Sequence, residues 1–176
     1  MALSRRDIVL LLLMGEPVEG ITRMQKYLFL ALAQKGDQAP GVRDVEDFEP
    51  YRFGPYSSKL YDDLEMLENL GLITSEPVRD LSEPEAQEVE LSFEYLMGDD
   101  EQEGAIAEQE ERKYALTEDG QKYVDGLLQS ATQEQVEGIG RVKSKFAHYS
   151  LKDLLRYVYK KYPDWTGESE IRDKVL

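Results

Sequence analysis

The chain contains no cysteine, which excludes disulfides, iron–sulfur clusters and thiolate zinc sites. It holds a single histidine, His148, and a single tryptophan, Trp165. One imidazole cannot build a histidine metal triad or a relay of two imidazoles. A Ser–His–Asp set could draw only on His148, beside Tyr149 and Ser150 at a helix start, where a capping or surface histidine is the ordinary reading. Long apolar runs are missing. Ile8 to Met14 is seven residues long and follows a capped helix start, whereas a membrane span needs about 20. No glycine-rich phosphate loop is present, since Gly138 and Gly140 fall inside a helical pattern without a third glycine. Basic residues are scarce in the middle of the chain: from Glu76 to Glu111 there are 14 acidic residues against Arg79 alone. These absences point to a cytoplasmic, non-enzymatic protein with no catalytic, metal or cofactor-binding residues to assign.

What is present is an acidic chain of 176 residues, net charge −15 and 41% hydrophobic content. That length and apolar content suffice for a packed core. The acidity works against binding to nucleic acid or to an anionic membrane over most of the surface. The charge is uneven, however. From Arg141 to Lys161 seven Lys or Arg face Asp153 alone, so an acidic central arm is followed by a basic C-terminal segment.

The stretch Phe48 to Ile73, FEPYRFGPYSSKLYDDLEMLENLGLI, reads as an aromatic extended segment, a Gly54-Pro55 corner, one amphipathic helix and a stop at Gly71. Pro55 suits a first helical turn, and Ser57 or Ser58 can cap it. Tyr56, Leu60, Leu64 and Leu67 form one apolar stripe, with Lys59, Asp62, Asp63, Glu65 and Glu68 mostly on the other side. Gly71 then serves as a left-handed cap before a strand begins at Leu72 and Ile73. The remainder reads as elements packed on that helix.

Before it, Ser4 and Asp7 cap a helix to about Met14, and Thr22 and Gln25 stand at capping-box spacing for a helix to about Gln34. After it, Gln87 to Leu96 alternates as a half-buried strand, with Arg112 to Leu116 as its expected antiparallel partner. Thr117 opens a helix with Tyr123, Val124, Leu127 and Leu128 on its apolar side; Thr132 and Gln135 open another, to about Phe146; Ser150 and Asp153 open the last, ended by Pro163. Asp99, Glu101, Glu103, Gly104 and Glu110 occupy positions of a calcium-loop pattern. Glutamate replaces the shorter ligands there and a strand precedes the loop, so a solvated loop is the better reading.

Four segments resemble a known set in order: ITRMQKYLFLA, the FEPYRFGPYSS stretch with its helix, YALTEDGQKYV and YSLKDLLRYVYKKYP. Together they resemble the uncharacterised YwgA-like proteins and, more distantly, the Panacea or SocA-type antitoxin domain. The resemblance implies a winged-helix-like domain that works by binding a protein, in some relatives a toxin or a protease-adaptor partner, and carries over no catalytic residues.

The expected architecture is therefore mostly α (α+β). A winged-helix-like domain spans 1–129 with an acidic wing at 76–116, and a C-terminal helical pair and tail, 130–176, pack on the same core. The expected function is a protein-interaction or regulatory module, antitoxin-like, with Tyr51, Arg52 and Tyr56 as the partner-binding patch, since Tyr and Arg dominate interface hot spots. The alternative is a DNA-binding transcriptional regulator using Arg141, Lys143, Lys145, Arg156, Lys160 and Lys161. The helix after Pro55, which would be its recognition helix, carries more acid than base, so charge disfavours DNA there. The same basic residues could instead balance the acidic arm within the protein or across a homodimer.

Overall fold

The computed structural model describes residues 2–33, 47–51, 54–78 and 112–165. Among these residues the chain is mostly helical, with six α-helices and a small antiparallel sheet.

Helix α1 (Arg5–Leu12) starts from a capping box: the Ser4 hydroxyl accepts from the Asp7 N–H at 3.2 Å, and the Asp7 carboxylate accepts from the Ser4 N–H at 2.8 Å. Ile8 through Leu13 are all buried, as an apolar run without a polar face requires. Strand β1 (Val18–Glu19) follows, and Gly20, at φ +93°, turns the chain into α2 (Ile21–Leu32). The capping box expected of Thr22 and Gln25 does not form. Gly20 is the N-cap, with no side-chain bond, because Gln25 is used elsewhere.

Helix α2 is the centre of the molecule. Every residue from Met24 to Leu32 is buried. Helix α1, strand β1 and the later elements β3, α5 and α6 all lie against it. The organising element is thus α2, rather than the helix that follows Pro55.

Strands β2 (Glu49–Tyr51) and β3 (Gly54–Tyr56) form an antiparallel hairpin with Pro50 opposite Pro55. Helix α3 (Lys59–Asn69) then buries Leu60, Leu64 and Leu67, and also Asp63, which the sequence pattern places on the solvent side. Ser58 is its N-cap but makes no side-chain cap bond, and the Ser57 hydroxyl is buried without a partner among the described residues. Gly71, at φ +72°, ends α3 as expected: its N–H reaches Glu68 O and the Leu72 N–H reaches Leu67 O, the paired bonds of a Schellman cap.

Strand β4 (Ile73–Pro77) pairs with β5 (Arg112–Leu116), and β5 pairs on its other side with β1, placing Val18 opposite Tyr114. The sheet order is β1-β5-β4. Among the described residues the partners of β5 are therefore β4 and β1, where the sequence suggests the alternating segment 87–96. That segment, the calcium-like pattern at 99–110 and most of the acidic arm lie outside the described residues.

Helix α4 (Glu118–Ser130) is capped by Thr117, whose hydroxyl accepts the Gly120 N–H at 3.0 Å and donates to Gly71 O at 2.6 Å. It buries Val124 and Leu127, but Tyr123 and Leu128 are 47% and 37% exposed, so the apolar face is narrower than the sequence implies. Helix α5 (Gln133–Phe146) begins with the Thr132–Gln135 capping box and runs unbroken through both glycines. Helix α6 (Leu151–Lys161), capped by Ser150, buries Leu151, Leu154, Leu155, Val158 and Tyr159. A 3₁₀ turn (Pro163–Trp165) brings Trp165 edge-on to Phe29, with 5.2 Å between ring centroids. Side chains of α1 to α6 contribute to one hydrophobic cluster, so α5 and α6 share the core of the preceding elements. No helix among the described residues is long and apolar enough to cross a membrane.

Candidate functional site

Two adjacent residues of α2 hold the β2–β3 hairpin. The Gln25 amide donates from Nε2 to Ser57 O at 2.8 Å and accepts the Ser57 N–H at Oε1, at 3.0 Å. A single side chain thereby satisfies both backbone groups of a buried residue, as a neighbouring strand would. Lys26 donates from Nζ to Pro55 O at 3.0 Å. Proline has no N–H to satisfy, so that carbonyl completes the backbone needs of the residue.

The hairpin is closed from the other side by α6. Gly54 has φ +86°, and a Cβ there would lie 2.8 Å from Cε1 of the buried Tyr159 ring. Both the left-handed backbone and the close ring demand glycine. The corner is thus clamped between Gln25 and Lys26 below and Tyr159 beside it.

Lys26 is fully buried, and burial alone lowers its ammonium pKa from 10.5 to about 7. No carboxylate pairs with it among the described residues. Its signal in the sequence is a lysine inside a helix that is apolar on every face, MQKYLFLAL.

The outer side of the corner is aromatic. The Tyr51 and Tyr56 rings stand 5.0 Å apart at 33°, and Tyr56 and Tyr61 6.2 Å apart at 50°. All three are half-buried. Burial raises the Tyr56 pKa, a hydrogen bond with Tyr61 acts against this, and the Glu49 charge adds to it. Of the sequence-derived patch, Tyr51 and Tyr56 are brought together and Tyr61 of α3 joins them. Arg52 lies outside the described residues. Phe48 does not share this surface; it is buried edge-on to Phe29 at 5.4 Å. Tyr61 was legible only as a helix residue, because its place in the patch depends on how α3 leaves the hairpin.

Below the corner, α1 and α3 meet through charge. Asp63, 4% exposed, accepts from Arg5 Nε at 2.5 Å and Arg6 Nε at 3.0 Å, and Arg5 also reaches Asp47 at 2.8 Å. Lys59 completes the set on Asp47. Asp63, the buried charge of this set, is thus paired with two arginines.

The basic C-terminal residues do not form one face. Lys143 points into the end of α1 and donates to Met14 O at 2.9 Å and to Glu16 O. Burial lowers its pKa to about 8 against the raising effect of Glu16. Arg156 pairs with Asp153 at 2.9 Å, Arg141 donates to Glu137 O at 3.3 Å, and Lys160 is exposed. Only Lys145 and Lys161 converge, on the Tyr157 hydroxyl. His148 is exposed, and no group of acidic or histidine side chains able to hold a metal occurs among the described residues.

No protein-family model, curated protein or solved structure matches this chain.

Proposed function

We propose that the protein is a cytoplasmic, non-enzymatic interaction module of winged-helix-like type, antitoxin-like or regulatory, which takes a protein partner on the tyrosine corner. The observation that carries this reading is the pairing of a half-exposed Tyr51–Tyr56–Tyr61 surface with a rigid seat. Aromatic side chains give contact area at small entropic cost, and a preorganised backbone lowers the cost of binding further. Gln25, Lys26 and Tyr159 supply that preorganisation. Arg52, next to Tyr51 in the sequence, is a residue type suited to a hot spot. The winged-helix part of the reading is supported by the element order α1-β1-α2-β2-β3-α3-β4-β5, in which the β2–β3 hairpin is inserted before α3, and by the strand order β1-β5-β4.

The DNA-binding alternative draws less from the geometry. Lys143 and Arg156 are engaged within the fold, and the exposed face of α3 carries Asp62, Glu65 and Glu68 against Lys59, itself paired with Asp47. Such a face is repelled by phosphates.

The test compares the wild-type chain with Y51S/Y56S as immobilised baits for proteins of the source cell, after circular dichroism shows equal folding. A partner retained by the wild type and lost by Y51S/Y56S is the expected result. A partner retained equally by both removes the corner as the site. Salt-sensitive binding to duplex DNA that is lost in R141Q/K160Q/K161Q would replace the reading with the regulator.

A further inference from the structure

Lys145 near the end of α5 and Lys161 at the end of α6 donate to the same oxygen, the Tyr157 hydroxyl, at 3.2 and 3.0 Å. Their nitrogens are therefore no further apart than those two distances combined, about 6 Å. Aromatic rings fix both chains. Lys145 Nζ sits 4.5 Å from the Tyr157 centroid and 5.3 Å from that of Phe146, and Lys161 Nζ lies 5.4 Å from Tyr157 and 5.6 Å from Tyr162. The Tyr157 ring is itself held against buried Phe146 at 4.8 Å.

Two ammonium groups this close repel each other unless something neutralises them. In a chain of net charge −15, neither has a carboxylate partner among the described residues, and Asp153, the acid of α6, is taken by Arg156. The local field is positive enough to show on the phenol. Burial by itself raises the Tyr157 pKa, yet the hydrogen bonds and charges of Lys161 and Lys145 together outweigh it and lower the value.

We infer that Lys145, Tyr157 and Lys161 form a binding site for a phosphate monoester. Lys145 uses one of its three N–H groups on the phenol, and Lys161 uses one on the phenol and one on Tyr162, so each ammonium keeps at least one to give. The phenol oxygen, accepting from both lysines, keeps its own O–H to donate. Two cations and one hydroxyl thus supply three donors, which matches the three terminal oxygens and the charge of nearly −2 that a phosphate monoester carries at neutral pH. A carboxylate offers two oxygens and one charge, and a phosphodiester likewise offers two free oxygens and one charge. Both should bind more weakly. This site is separate from the tyrosine corner and does not rest on the function proposed for it.

The test is calorimetric titration of the full chain with phenyl phosphate, with benzoate and a short DNA duplex as comparison ligands. Saturable binding of phenyl phosphate is expected, weakened about tenfold or more in K145Q/K161Q and several-fold in Y157F, which keeps the ring and removes the O–H. Benzoate and the duplex should bind at least about tenfold more weakly than phenyl phosphate. Absence of saturable binding, equal binding by folded K145Q/K161Q, or equal affinity for benzoate would overturn the site. Preference for the duplex would reassign these lysines to nucleic-acid backbone contact.

Discussion

Gln25 and Ser57, 32 residues apart in the chain, exchange two hydrogen bonds so that the glutamine amide serves as a one-residue strand beside the hairpin. Neither serine backbone group has water to fall back on, because Ser57 is fully buried. Replacing Gln25 by leucine keeps the volume and strands the Ser57 N–H, while Ser57 O keeps only the Leu60 N–H, at 3.3 Å. A buried orphan costs about 1–3 kcal/mol, so Q25L should lose about that much stability. The urea midpoint measures this. A shift under about 0.5 kcal/mol, the size expected of a surface change, would mean the hairpin is held by other contacts.

Lys26 makes stability depend on pH. Its folded pKa of about 7 lies below the unfolded value of 10.5, so between those values the unfolded chain binds more protons and stability rises with pH. Below pH 7 the buried ammonium imposes its full cost, on the order of a few kcal/mol. The wild type should therefore gain stability from pH 7 towards pH 10, and K26M should lose most of that slope and be relatively favoured on the acid side. Urea midpoints across this range decide the matter. Parallel curves for the two proteins would show that Lys26 stays charged in the fold. Lys143, lowered to about 8, adds a slope of the same sign to both proteins.

Two glycines of α4 should respond in opposite directions to alanine. A Cβ on Gly120 would lie 1.9 Å from Leu72 O, a backbone atom, whereas a Cβ on Gly126 meets nothing within 4 Å. The carbonyl cannot move without disturbing the turn that Thr117 and Gly71 share. G120A should cost about 1–3 kcal/mol or more, as overpacking does. G126A, in an exposed helical position, should gain about 0.5–1 kcal/mol. Thermal melts of the two variants give the signs directly, and a stable G120A would mean that α4 can slide away from Leu72.

Local signals in the sequence were reliable where the partner is a few residues away. The capping serines and threonines at positions 4, 117, 132 and 150, the Gly71 stop and the stripe of Leu60, Leu64 and Leu67 all appear in the fold. Readings failed where a distant residue competes for the same group. Gln25 has capping-box spacing from Thr22, but Ser57 takes its amide. Asp63 looks solvent-facing until Arg5 and Arg6 arrive from the other end of the chain. Strand β5 could have paired with any alternating segment, and its choice of β4 and β1 is a long-range fact. At the tyrosine corner, Tyr51 and Tyr56 were visible as an aromatic cluster. The seat beneath them was not, because a buried lysine in an apolar helix declares its position but not the carbonyl it serves.

The three rings around Phe29 turn the single tryptophan into an optical label supplied by the chain itself. Phe48, Tyr162 and Trp165 each meet Phe29 edge-on, so the indole reports on the end of α2 without any engineered dye. Excitation at the red edge, where the 11 tyrosines absorb little, reads only whether the last described turn is seated on that helix. Loss of that seat can then be timed against loss of helical signal, and the order of the two events reveals whether the C-terminal turn lets go before the core does.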